Sequence, residues 1–339
     1  MTDQSGDTAL GNTPWIKLRR SGQANPFSPR LVMRRFAPLG RARFVSARPW
    51  LPTPRLPGGR FRPRLPRTAT LGRLGTLEVR LARNGFEVRR AQQLRFQVFY
   101  QEGSAVPDPQ TLSSKRDRDG FDRICDHMLV LDHEGVQKGF RRRRPQVVGT
   151  YRLLRQEIAE RHRGFYSKAE FDIAPLLARH RDKSFLELGR SCVLTPYRTK
   201  RTVELLWHGV WTYILRHQTD VMFGCASLEG TDPEALANEL AFLHHNALAP
   251  PEWRARAHPD RYVAMDRIPA ESVDAKAALR NLPPLIKGYL RLGGFVGDGA
   301  VIDRQFGTTD VLIVLPREII SPRYVNYYGA EASRHAATE

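Results

Sequence analysis

Cysteine is scarce in this chain of 339 residues: Cys125, Cys192 and Cys225 are the only three. An odd, widely spaced set excludes a disulfide framework and any cysteine metal cluster. It fits small buried hydrophobes in a reducing compartment. Long apolar runs are missing too, and no window approaches the ~20 apolar residues that span a bilayer. The N-terminal region has no apolar core of a secretory signal. Acid is nearly absent from one end, where residues 1–75 carry fifteen Lys or Arg against Asp3 and Asp7. That end holds +13 of the total formal charge of +19, so the remainder is only mildly basic. It also holds ten of the 24 prolines, and its apolar residues keep no period. Such a composition buries too little surface to offset chain entropy and reads as a basic, Arg/Pro-rich disordered arm.

Several roles fit the arm. It reads as a solvated tail, as the product of a start codon assigned too early, or as a contact for an anionic membrane. Each basic residue near lipid headgroups contributes about 1 kcal/mol. Nucleic acid is the weakest of the partners. Stacking bases requires aromatics interleaved with the arginines, and Trp15, Phe27, Phe36, Phe44, Trp50 and Phe61 are thinly spread.

Beyond the arm the pattern is regular. LEVRLA (77–82) alternates as a strand, and residues 88–103 read as a helix. DHMLVLDH (126–133) and VVGTYRLL (147–154) form a strand pair around a tip that exposes Arg141 to Arg144. A polar helical region over 155–182 leads to a strand at 185–194. In the next helix Val203, Leu206, Trp207, Val210, Trp211 and Ile214 make a one-sided apolar stripe. A strand at 221–228, helices at 233–248 and 282–295, and strands at 300–303 and 309–315 complete the order. The sequence therefore predicts a mixed α/β domain over 76–328, with an insertion at about 228–282 and a tail over 329–339.

Inside the strand FLELGRSCV (185–193), Glu187 and Arg190 stand three residues apart. In a regular strand such residues point to opposite faces, and burying either charge alone is costly. Three other stretches bear on this: LRFQVFYQE with Arg95, DRDGFDRICDHMLV with Asp119 and Asp122, and GTYRLL with Arg152. In this order and spacing the four resemble the acyl-homoserine-lactone synthases, a branch of the GCN5-related N-acyltransferase (GNAT) fold. With the long run LPPLIKGYLRLGGFVGDGAVIDRQFGTTDVLIVL (282–315), residues 77–328 more closely resemble the ornithine N-acyltransferases that begin ornithine-lipid synthesis.

The resemblance implies a mixed central sheet flanked by helices, with a β-bulge in the fourth strand. A bulge adds one residue and returns Glu187 and Arg190 to one face; Gly189 is its expected place. It would also free a backbone N–H to polarise a thioester carbonyl. The implied reaction moves a 3-hydroxyacyl chain from acyl carrier protein to the α-amine of ornithine, giving lyso-ornithine lipid without a bound cofactor. An acyl-phosphopantetheine thioester is the co-substrate. Glu187 would take the proton, with Arg190 beside it. Asp119 and Asp122 would hold the acceptor's cationic side chain, and Arg95 and Arg152 would pair with those acids or with its carboxylate. Which carboxylate is base stays open. An acyl-homoserine-lactone synthase or another N-acyl amino acid synthase is the alternative within the class.

The donor would run along Cys192 and Val193 to the loop TPYRTKRT (195–202). Arg198, Lys200 and Arg201 stand there where coenzyme-A users of the fold carry glycines, and a basic loop suits an acidic carrier protein. The expected location is cytoplasmic, peripheral to the inner membrane. GGFVGDG (293–299) follows a helix and precedes a strand, the reverse of a dinucleotide-binding loop. His244 and His245 are adjacent and so make no metal pair on a helix; no metal is expected.

Overall fold

A short hairpin opens the structured part, β1 (Thr70–Leu74) against β2 (Leu77–Leu81), turning at Gly75 with φ +62. The computed structural model describes residues 70–137, 144–322 and 324. Most of the basic arm, the arginine-rich tip at 141–143 and the tail lie outside that range. The strand at 70–74 lies within the stretch assigned to the arm. Thr70, Gly72, Arg73 and Leu74 pair with β2, and Leu71 is buried.

Helix α1 (Gly85–Phe96) starts at Asn84, whose side chain accepts the Phe86 and Glu87 amides. It continues as a five-residue π turn, Gln97–Gln101, a local widening common near functional sites. A short α2 (Pro109–Ser114) follows. The long pair β3 (Asp126–Gln137) and β4 (Arg144–Arg155) is antiparallel. The polar stretch after β4 is less helical than its composition predicts. It holds α3 (Gln156–Ala159), a 3₁₀ turn (Tyr166–Ala169), the two-residue β5 (Phe171–Asp172) and α4 (Ala174–Arg179).

Strand β6 (Phe185–Val193) leads to α5 (Lys200–His217), whose stripe is buried at Leu206, Val210, Trp211 and Ile214 but exposed at Val203. Then come β7 (Val221–Glu229), α6 (Ala237–Ala247), β8 (Arg256–Ala257), α7 (Ala275–Asn281) and α8 (Pro284–Arg291). Helix α8 ends at Gly293, which takes φ +94 as a helix terminator does. Strands β9 (Phe295–Asp303) and β10 (Thr308–Pro316) close the fold.

The sheet order is β1-β2-β3-β4-β6-β7-β10-β9-β8-β5. Its central pair, β6 and β7, is parallel and joined only over Phe185–Glu187 and Val221–Phe223. Beyond that the strands are no longer paired. Helix α1 packs over β4 and β6, while α5 covers β1 and β2. An apolar core of Phe171, Phe185, Phe223, Trp253, Leu312 and Val314 supports β6, β7 and β10.

Candidate active site

The bulge in β6 is present. Thr150 pairs with Cys192 and Arg152 with Gly189, so two steps along β4 match three along β6. The left-handed residue is Arg190 at φ +50, one position after the glycine expected there. A left-handed conformation in a non-glycine residue costs of order 1 kcal/mol and persists only where its surroundings fix it. Here they do. Arg190 Nε lies 3.3 Å from Asp117 and its terminal nitrogen 3.5 Å from Asp119. Its guanidinium stacks over Phe306 at 4.5 Å and Tyr166 at 5.0 Å.

Glu187 and Arg190 are both drawn to Tyr166 without pairing to each other. Glu187 accepts hydrogen bonds from the Tyr166 and Ser167 amides, each at 2.7 Å, and from the Ser167 hydroxyl at 2.6 Å. Burial raises its carboxyl above the usual range, against the lowering effect of those three donors. This carboxylate anchors a turn.

The other predicted charges form one buried network. Arg95 is fully buried, 2.7 Å from Asp117 and joined to both oxygens of Asp122 at 2.9 Å. Arg152 donates to Asp119 at 2.7 Å and reaches Asp122 at 3.4 Å. Burial pushes the Asp122 carboxyl up, but Arg95 and Arg152 outweigh it and hold it far below the usual range. Three arginines and three aspartates thus form one network of ion pairs, in which Arg95 Nε, Arg190 Nε and Asp117 Oδ2 lie close as opposite charges but make no hydrogen bond. Asp122 is therefore not available to a substrate cation, nor Arg95 to a substrate carboxylate. Asp119, with its side chain 26% exposed, is the most open of the three aspartates.

The loop 195–202, expected to meet the acyl donor, is held from two sides. Glu102 accepts Thr195 Oγ1 at 2.7 Å and Arg198 at 3.0 Å, while the Tyr197 hydroxyl donates to Asp132 at 2.7 Å. Arg198 also donates to the Val193 carbonyl at 3.0 Å. Lys200 is 80% exposed, and Arg201 is exposed beside Gly75. Cys192 is buried in β6, where its thiol is raised to about 12 by burial, which makes it a packing residue.

The chain has counterparts of known type over most of its length. Residues 94–208 match the acetyltransferase (GNAT) domain family. The L-ornithine N(alpha)-acyltransferase of Agrobacterium fabrum is 56% identical over 265 residues, 78% of this chain and 88% of that one. Those of Rhizobium meliloti (55%, covering 80% and 90%) and Brucella abortus (54%, covering 78% and 92%) are similarly alike. The chain belongs to the L-ornithine N(alpha)-acyltransferase family.

In this family member a cavity of about 480 Å³ opens beside Tyr166, lined also by Phe121, Glu170, Arg261, Asp303 and Gln305. Carboxylate oxygens of Glu170 and Asp303, which line it, and of Asp310 lie within 4.8 Å of one another. These are hard oxygen donors that suit a divalent cation, and an ammonium group satisfies the same charge. Glu170 is raised to about 7 by burial and then by Asp310, against a hydrogen bond from Cys225 and the charge of Arg261. Sequence reasoning missed Asp117, Tyr166, Ser167, Glu170, Asp303 and Asp310. One sign was legible, since Asp310 interrupts the apolar strand TTDVLIVL much as Glu187 interrupts FLELGRSCV.

Proposed function

We propose that this chain transfers a 3-hydroxyacyl group from acyl carrier protein to the α-amine of L-ornithine, forming lyso-ornithine lipid. The observation that carries the reading is the 54–56% identity to three L-ornithine N(alpha)-acyltransferases over about four-fifths of the chain. The geometry is in keeping with it. An aromatic-walled cavity beside the parted strands, where Glu170 and Asp303 face Arg163, Lys168 and Arg261, offers partners for both the ammonium and the carboxylate groups of an amino-acid acceptor. The bulged stretch 189–191 offers backbone N–H groups to a thioester carbonyl.

In this reading Arg190 and Asp119 face the acceptor, while Arg95, Asp122 and Arg152 hold them in place. Glu187 and Arg190 grip Tyr166 by its backbone and its ring face. The thioester arm lies along Cys192 and Val193. Lys200 and Arg201, with Arg198 half-neutralised by Glu102, meet the acidic carrier at the N-terminal end of α5. Among the described residues no helix is long and apolar enough to cross a membrane. The proposed setting is the cytoplasm, with the basic arm in peripheral contact with anionic lipid.

The decisive test is mass spectrometry of lipid extracts from cells expressing the protein, fed with isotope-labelled ornithine. A new lipid whose mass follows the label, carrying an amide-linked 3-hydroxyacyl chain, is the expected result. A product that ignores the label would overturn the acceptor assignment.

A further inference from the structure

Thioester aminolysis needs a group to accept the proton of the incoming ammonium, and the strand carboxylate at Glu187 is poorly placed for it. Its two oxygens face three donors at 2.6 to 2.7 Å, and the residue is 4% exposed. The turn it anchors is the 3₁₀ segment Tyr166–Ala169, and the residue that caps that segment is Glu170. Glu170 is as buried as Glu187, at 4% exposed, but differs in what its oxygens meet. It lines the cavity beside Tyr166. Its Oε2 receives only a weak hydrogen bond from the Cys225 thiol at 3.2 Å, and its Oε1 is 3.7 Å from Arg261. Cys225 lies on β7 just past the last residue paired with β6, so Glu170 reaches the point where the strands part. A short chain links the two acids: Glu187 to Ser167, Ser167 to Cys225 at 3.5 Å, Cys225 to Glu170.

We propose that the Glu170 carboxylate takes the proton from the acceptor's α-ammonium, with Glu187 as the positioning residue that fixes the turn carrying it. This rests on the acyltransferase reading above. The step balances as follows. One N–H proton passes to Glu170, leaving a neutral amine with its electron pair. The amine nitrogen bonds to the thioester carbon, and the carbon–sulfur bond breaks with its electrons on sulfur. A second N–H proton reaches the thiolate, giving amide and thiol, and Glu170 returns its proton to solvent through the cavity.

The groups facing Glu170 come from every neighbouring element. They are Asp310 on β10, Asp303 at the end of β9, Cys225 on β7, and Tyr166 and Lys168 on its own turn. Arg261 and His258 come from the segment after β8, where His258 holds the backbone of 168 and 170. Glu170 lines the cavity and has few hydrogen-bond partners, so its carboxylate is placed to accept a proton. Once protonated it no longer serves as base, so activity falls on the acid side.

The test uses full-length protein, 3-hydroxyacyl carrier protein and ornithine, with kcat and KM measured from pH 5.5 to 9. Glu170→Gln is expected to lower kcat by roughly 10²–10⁴-fold and to abolish the acidic limb. The KM for ornithine should stay within about threefold of wild type. Asp310→Asn removes a neighbouring negative charge and should move the limb down by about one pH unit, a shift that a merely structural role would not produce. Glu187→Gln should reduce kcat yet keep the wild-type limb. A folded Glu170→Gln protein with the wild-type limb overturns the proposal, as does loss of the limb in Glu187→Gln alone. A wild-type protein that forms no N-acyl ornithine overturns the acyltransferase reading itself, and this proposal with it.

Discussion

Replacing Arg95 by Met tests whether the buried ion network is what holds the site together. The arginine is encased: both Asp122 oxygens at 2.9 Å, Asp117 Oδ2 at 2.7 Å and the Asp117 carbonyl at 2.6 Å all engage it. Methionine fills most of the stem's volume but supplies no charge. Removing one partner of a buried pair costs about 3–5 kcal/mol because it strands the other charge. Asp117 keeps Arg190 at 3.3 Å and Asp122 keeps Arg152 at 3.4 Å, so the expected loss is at the lower end, about 3 kcal/mol. The pH dependence follows from the sign of the shift. Asp122 titrates below its unfolded value, so its pairing stabilises the fold above the unfolded pKa of 3.8 and is lost as pH falls through the folded value. The variant forfeits much of that contribution, and its Asp122 regains a proton earlier as pH drops. The gap between the two proteins should hold from pH 7 down to about pH 4 and narrow only below the unfolded pKa of 3.8. Urea unfolding followed by tryptophan fluorescence at pH 7, 5 and 3 measures it; urea is preferred because guanidinium would screen the charges. A gap that has already closed at pH 5, or a loss under about 1 kcal/mol at pH 7, would refute the reasoning.

Other expectations follow from single contacts. In Gly224→Ala the new Cβ would sit 2.2 Å from the Leu188 carbonyl oxygen, so β6 and β7 must part early; a loss of about 1–3 kcal/mol and a lower kcat are expected, read by thermal melting and turnover. Reversing charge at Arg198, Lys200 and Arg201 should impair use of acyl carrier protein far more than use of a small pantetheine thioester, with added salt mimicking the effect in the wild type; equal impairment with both donors would assign the loop to the shared arm. Acyl transfer should survive prior treatment with EDTA, and a metal-reversible loss would make Glu170, Asp303 and Asp310 a cation site. Removing residues 1–69 should weaken sedimentation with anionic vesicles in a salt-sensitive way; equal binding with and without them would move any membrane contact to the folded domain.

The elements that sequence reasoning recovered are those with a strong period or a local stop. The alternation of β3 and β4 and the stripe of α5 come from burial on one face, which a sequence displays directly. Two charges in one apolar strand pose a conflict that the sequence shows directly; the bulge that resolves it is implied by the family resemblance, and Gly189 is its expected place because glycine tolerates φ > 0 most easily. The structure puts the strain on Arg190, whose two aspartates and two aromatic rings compensate for it. The contacts of Glu187 leave no trace in the sequence because its partners, the Tyr166 and Ser167 amides, lie some twenty residues away in a polar stretch without period. Backbone donors leave no mark on a sequence. Glu170 was hidden for a related reason: what makes it unusual is the nearness of Asp303 and Asp310, over 130 residues further along.

The loop at 195–198 is pinned by Glu102 on one flank and by Asp132 on the other. A surface fixed in this way cannot mould itself to a visitor, so its shape is decided before anything docks. If the proposed carrier protein lands there, adaptation falls to the carrier and its arm, and retuning the enzyme for a different carrier would reach beyond the loop. Glu102 stands nearly a hundred residues earlier in the chain, so a drift in Arg198 exposes an acid there to new partners, and the two positions are expected to vary together across related enzymes.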